Sequence, residues 1–105
     1  MAWNESDLKK QIVKDLPEGT WSYAPVQHGM GASGIPDRIC CIPTVINQED
    51  VGKTFGMFVG IEAKTYKNTP TTLQRFQLEG IANAGGVALV ITGEKGKPYK
   101  VEIVE

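Results

Sequence analysis

The sequence predicts one α/β domain built on a mixed sheet. Helical periodicity at residues 4–16 and 71–84 brackets a series of strand-like segments. The second helical stretch lies between two apolar strands, and 105 residues without repeat or linker leave room for a single core. A helix joining two strands of one sheet implies that they run parallel, which a hairpin cannot achieve.

In chain order, Asn4 is positioned to cap a helix to about Leu16. Glu5 and Asp7 occupy the favourable first turn, and Leu8, Ile12, Val13 and Leu16 form an apolar stripe. Pro17 and Gly19 end it. Thr20–Val26, rich in aromatic and β-branched residues, reads as a strand, and Gln27–Gly34, with three glycines, as a loop. Asp37–Ile42 is a short strand; a polar connection with a turn-like Asn47–Asp50 follows. A more apolar strand from Phe55 to Lys64 is expected to pair with it as a hairpin. Thr71 or Thr72 caps a helix ending near Ala84, with Leu73, Phe76, Ile81 and either Ala84 or Leu78 facing inward, and Gly85–Gly86 stop it. Val87–Thr92 is a continuous apolar run suited to a buried strand, and Tyr99–Val104 alternates as an edge strand. The predicted order is αβββαβ with a further strand.

An apolar fraction of 41% and a charged fraction of 22% are those of a globular chain and argue against disorder throughout. A net charge of −1 excludes a partner held by bulk positive charge. The charge is uneven, with five basic and eight acidic side chains in residues 1–62 against six and four in 63–105. No segment reaches the roughly 20 apolar residues of a membrane span, and the polar N-terminus is not a secretory signal. Cys40 and Cys41 are adjacent, so a disulfide between them would close almost no loop. They read as strand packing residues of a cytosolic protein.

The chemistry-bearing residues lie at strand ends. Gly34-Ile35-Pro36-Asp37 leads from the glycine loop into a strand, and 25 residues later comes Glu62-Ala63-Lys64. Strand side chains alternate, so Glu62 and Lys64 share one face. With Asp37 on a neighbouring strand of matching parity, two carboxylates and one ammonium converge. Convergent carboxylates repel unless a cation joins them, and hard oxygen donors select Mg²⁺ or Mn²⁺. One His and two vicinal Cys cannot build a tetrahedral zinc site. Carboxylates, a divalent ion and a lysine suit phosphodiester hydrolysis: the ion lowers the pKa of bound water, and the lysine orients it or stabilises the phosphoryl oxygens. By chance a Pro-Asp pair occurs in roughly a third of chains this long and Glu-x-Lys in roughly 40%, so placement carries the signal.

The runs GIPDRI, FVGIEAKT and TTLQRFQLEGIANAGGVALVI together resemble the virus-type replication-repair nuclease domain of the PD-(D/E)xK superfamily, over about residues 5–92. The resemblance implies a restriction-endonuclease-like αβββαβ core with a mixed sheet flanked by helices. It implies Asp37 and Glu62 as metal ligands, the Ala63 carbonyl as an additional one, and Lys64 as the catalytic lysine. Gln74 matches the glutamine that supports the site. Gln77, three residues on, is the alternative; the distance to Gly85–Gly86 favours Gln74. Glu5 matches the acidic residue supplied by the first helix. The expected activity is that of a phage-encoded, Mg²⁺- or Mn²⁺-dependent DNA endonuclease in the host cytoplasm, cutting branched DNA as a homodimer in the manner of a Holliday-junction resolvase. The alternatives are a flap, nicking or restriction-like preference, or a catalytically silent DNA-binding or scaffold subunit. Two symmetric cuts require two sites related by a twofold axis.

Other residues fit simpler roles. His28, in the glycine loop near Asp37, is expected to be polar surface, and Arg38 to face away from the site. Lys67, Arg75, Lys95, Lys97 and Lys100 are the expected phosphate contacts. Trp21 and Tyr23 are expected in the core or an interface. Gly29–Gly34 has the spacing G-x-G-x-x-G but precedes a strand, which excludes a dinucleotide cradle.

Overall fold

A computed structural model describes residues 4–26 and 36–105. The predicted glycine loop, with His28, lies outside the described residues. The element order is α1 (Glu5–Asp15), β1 (Trp21–Tyr23), β2 (Ile39–Cys41), a 3₁₀ turn (Gln48–Asp50), β3 (Val59–Thr65), α2 (Thr72–Asn83), β4 (Val87–Gly93) and β5 (Lys100–Val104). The order of helices and strands is the predicted one.

Both helices are specified by their ends. Asn4 Oδ1 accepts from the Asp7 backbone N–H at 2.8 Å, and Leu16 leaves helical conformation ahead of Pro17. In α2, Thr71 and Gln74 form a capping box. Gly86 N–H donates to Ile81 C=O and Gly85 N–H to Ala82 C=O, with Gly85 at φ 97°. This is the Schellman geometry, and only glycine takes the left-handed position without strain.

The strands form two sheets. β3 pairs with β4 in parallel through seven registered positions, from Val59 opposite Val87 to Thr65 opposite Gly93, and β4 pairs with β5 antiparallel. The mixed sheet and its helical crossover are thus as expected. β1 and β2 pair antiparallel by themselves, Trp21 opposite Cys41 and Tyr23 opposite Ile39. The predicted hairpin between the Asp37 and Glu62 strands is therefore not formed. β2 is three residues long and takes its ladder from β1, while β3 spends one edge on the longer β4. The connection between them is held locally, Asn47 and Asp50 forming a capping box at the start of the 3₁₀ turn.

α2 covers one face of the larger sheet. Leu78 and Ile81 meet Ala88, Val90 and Val104, with Trp21, Phe58 and Ala82 packed around them. Leu73 and Phe76, expected inward, are 68% and 67% exposed. They lie toward the N-terminal side of α2; Ile81, also expected inward, is buried, and so are both Leu78 and Ala84. The other sheet face, which includes Val59, Ile61, Val101 and Ile103, stays open. The apolar stripe of α1 is likewise uncovered, with Leu8, Ile12 and Val13 all above 40% exposed. β1 is shorter than Thr20–Val26, and Val26 is exposed. Cys41 is buried and Cys40 half-buried, both as free thiols.

Candidate active site

Glu62 and Lys64 project from the face of β3 that α2 covers, as strand alternation requires. Lys64 Nζ stands 3.4 Å from Glu62 Oε1, with the two side chains only 19% and 27% exposed. Glu5–Lys9, by contrast, is an open surface pair, 77% and 51% exposed. Register extends the β3 pattern across the sheet: Glu62, Val90 and Glu102 form one row, and Lys64, Thr92 and Lys100 the next. A carboxylate row and a lysine row therefore lie side by side. The Ala63 side chain points to the open face.

The start of α2 adjoins Glu62. Gln74 and Gln77 line a groove with Gly60, Glu62 and Leu73. Both glutamines have structural partners as well. Gln74 Oε1 accepts from the Thr71 N–H at 2.9 Å, and Gln77 Oε1 accepts from Trp21 Nε1 at 2.9 Å. The capping role of Gln74 was readable from the Thr-x-x-Gln spacing. The Trp21–Gln77 bond, across 56 residues, left no sequence signal.

Asp37 lies elsewhere, just before β2 and against α1. Lys9 Nζ is 3.8 Å from Asp37 Oδ1 and 3.5 Å from Glu5 Oε1, so this lysine gathers the two predicted ligands of the N-terminal half. Lys9 escaped the sequence reading, although its i,i+4 spacing from Glu5 was visible. A groove lined by Leu8, Ile12, Ala24, Asp37 and Arg38 runs beside them. Arg38 turns its guanidinium to Ser22, Nε donating to Oγ at 3.0 Å.

In kind, these oxygen donors suit a hard divalent cation. In arrangement they do not form its site: among the described residues no three His, Cys, Asp or Glu side chains gather closely enough to hold a metal ion. The carboxylates are divided, Glu5 and Asp37 around Lys9 and Glu62 beside Lys64.

The expected phosphate-contacting cations are also distributed. Arg75 makes a bidentate pair with Glu102, both contacts at 3.0 Å, which ties α2 to β5. The hydrogen bond and charge of Glu102 raise the Arg75 pKa, and the hydrogen bond from Arg75 holds the Glu102 carboxyl below its ordinary value. Lys97 lies 3.4 Å from Glu94 within the turn before β5, where Lys95 is also exposed. Lys67 has a positive φ of 71° and sits over the Tyr66 ring. Trp21 packs edge-on to Phe58 with ring centroids 5.6 Å apart, against the core, one of the two placements expected of it, while Tyr23 is half-exposed. No described helix is long and apolar enough to cross a membrane. Comparison with protein-family models, curated proteins and solved structures finds no match to this chain.

Proposed function

We propose that this chain is a metal-dependent DNA endonuclease with a restriction-endonuclease-like αβββαβ core, hydrolysing phosphodiester bonds with Mg²⁺ or Mn²⁺ as cofactor. The observation that supports it best is the half-buried Glu62–Lys64 pair on the sheet face that α2 covers. An ammonium held in this way is a fixed donor for the non-bridging oxygens of a phosphodiester, and it gains strength from partial exclusion of water. Glu62 holds that ammonium in place. Lys100, two strands away in the same row, extends the positive strip along which a nucleic-acid backbone would lie. Lys67, Lys95, Lys97 and Arg75 are the further proposed DNA contacts, Arg75 by exchanging Glu102 for phosphate.

The substrate class proposed is branched DNA, cut by a homodimer whose two sites supply symmetric incisions in the host cytoplasm. A second reading, a silent DNA-binding or scaffold subunit, draws on the separation of Asp37 from Glu62. Cleavage of labelled four-way junction, flap, duplex and single-stranded DNA in Mg²⁺, Mn²⁺ or EDTA tests both, with wild type beside Lys64→Ala. Paired cuts in the junction, reduced at least roughly 10²-fold by Lys64→Ala, are expected. Cutting of the other structures keeps the nuclease and removes the junction preference. Cleavage by Lys64→Ala at the wild-type rate removes Lys64 from the mechanism. Binding without cutting selects the silent subunit.

A further inference from the structure

The end of the larger sheet at which β3 and β4 both finish gathers aromatic and cationic side chains. β3 runs out into a turn at 66–68 and β4 into a turn at 94–98. The Tyr66 N–H donates to the Gly93 carbonyl at 3.0 Å and ties the two turns together. Across residues 64–68 and 93–100 there are five lysines and one carboxylate, Glu94. Lys97 takes that carboxylate, and Lys67, Lys95 and Lys100 have no carboxylate partner among the described residues.

Tyr99 stands among these lysines. Its parity with Val101 and Ile103 puts it on the open face of the sheet. A Cβ added to Gly93 would fall 3.3 Å from Tyr99 Cδ1 and 3.4 Å from Cε1, so the ring rests against β4 at a residue without a side chain. A glycine within a strand permits such a close approach. The ring is nevertheless 74% exposed: it is supported on one side and uncovered elsewhere. Two hollows meet at it. Lys95, Lys97 and Pro98 line one. Ile61, Ala63, Ile91 and Lys64 line the other, so the second hollow joins the Tyr99 ring to the ammonium beside Glu62.

We infer that Tyr99 is a stacking platform for an unpaired base of single-stranded DNA, with the flanking phosphates directed toward Lys95 and Lys97 on one side and Lys64 on the other. The charge is complementary to a polyanion, and the supported ring beside an apolar floor is complementary to a flat, apolar surface. A single strand joins the two, with its charge on the backbone and a planar base projecting from each nucleotide. An acidic peptide supplies the charge but no such succession of planar groups. Every base has a face to stack, so the platform is tolerant of sequence. The delivery of a phosphate to Lys64 rests on the nuclease reading and refines its substrate to branched DNA with an unpaired strand. The stacking does not depend on that reading.

Fluorescence anisotropy of a labelled oligodeoxythymidylate in EDTA measures binding apart from cleavage. Tyr99→Ala should weaken it about fivefold or more, the lower range for loss of one base–aromatic stack. Tyr99→Leu, which keeps an apolar side chain at the strand edge, should bind as weakly, and Tyr99→Phe should stay within about twofold of wild type. An abasic strand of the same length should bind wild type and Tyr99→Ala alike. Lys95→Ala should lower the slope of log affinity against log salt by about 0.7, whereas Tyr99→Ala should leave that slope unchanged. Phe55→Ala removes a 55% exposed ring away from the lysines and should bind as wild type does. No binding by wild type, full affinity in Tyr99→Leu, or an equal loss on the abasic strand would each overturn the proposal. Ring-dependent binding without cleavage in Mg²⁺ would leave the platform standing and remove the nuclease. Cleavage with no dependence of binding on Tyr99 would do the reverse.

Discussion

The two halves of this chain are built to different densities. From β3 to β5, α2 closes over a three-stranded sheet, and Leu78, Ile81, Ala88, Val90 and Val104 form a continuous core. From α1 to β2, Cys41 is the one buried hydrophobic residue among those described, and α1 buries none of its side chains. The difference does not come from helix-forming tendency, since both helices are well capped. It comes from strand length and connection. A parallel pair of seven-residue strands with its own crossover helix forms a closed packing unit, whereas a three-residue ladder offers too little face to bury a helix. Trp21 and Cys41 are the points at which the looser half leans on the denser one.

The contrast can be broken most strongly at Ile81. Ile81→Ala should cost about 2–5 kcal/mol through lost burial and a residual cavity. Leu8→Ala on the exposed stripe of α1 should stay within about 0.5 kcal/mol. Urea unfolding of both variants checks the pair, and equal losses would mean that α1 is packed in solution. Gly86→Ala tests the junction between the halves, since the added Cβ would fall 2.9 Å from Ile81 Cγ2 and against Cys41 and the Phe58 carbonyl. Overpacking of this kind should cost about 1–3 kcal/mol in the same unfolding measurement. Thr71→Ala removes the hydroxyl that accepts from Gln74 N–H and should cost about 1 kcal/mol, affecting only the dense half.

The smallest effect belongs to the exposed Arg75–Glu102 pair. Because the Glu102 pKa is lowered in the folded chain from 4.5, its contribution is present above that ordinary value. It is lost as pH falls through the lowered folded value. Stability curves of wild type and Glu102→Gln against pH should therefore differ slightly at neutral pH and converge in acid. A gap that widened on acidification would show that Glu102 has another role.

Much of this was legible in the residues. Asn4 and Thr71 announced helix starts, Gly85 and Gly86 announced a stop, and the unbroken apolar run from Val87 marked the central strand. Those are local signals, set by a few neighbouring residues and the backbone groups they satisfy. Glu62 and Lys64 were placed on one face by strand alternation alone. What periodicity could not decide was which face of α2 would be used: Leu73 and Phe76 fit an inward pattern as well as Leu78 and Ile81 do, and the sheet selected the latter. Nor could it decide strand partners, because hydrogen-bonding edges are alike along every strand and the choice between β1 and β3 for β2 depends on contacts distant in sequence. The position of Asp37, beside Lys9 and away from Glu62, follows from that choice. Residue type and spacing determined the elements and the common face of Glu62 and Lys64. Only the tertiary structure decided which edges pair, because pairing energy is gained between segments whose proximity the local sequence does not encode.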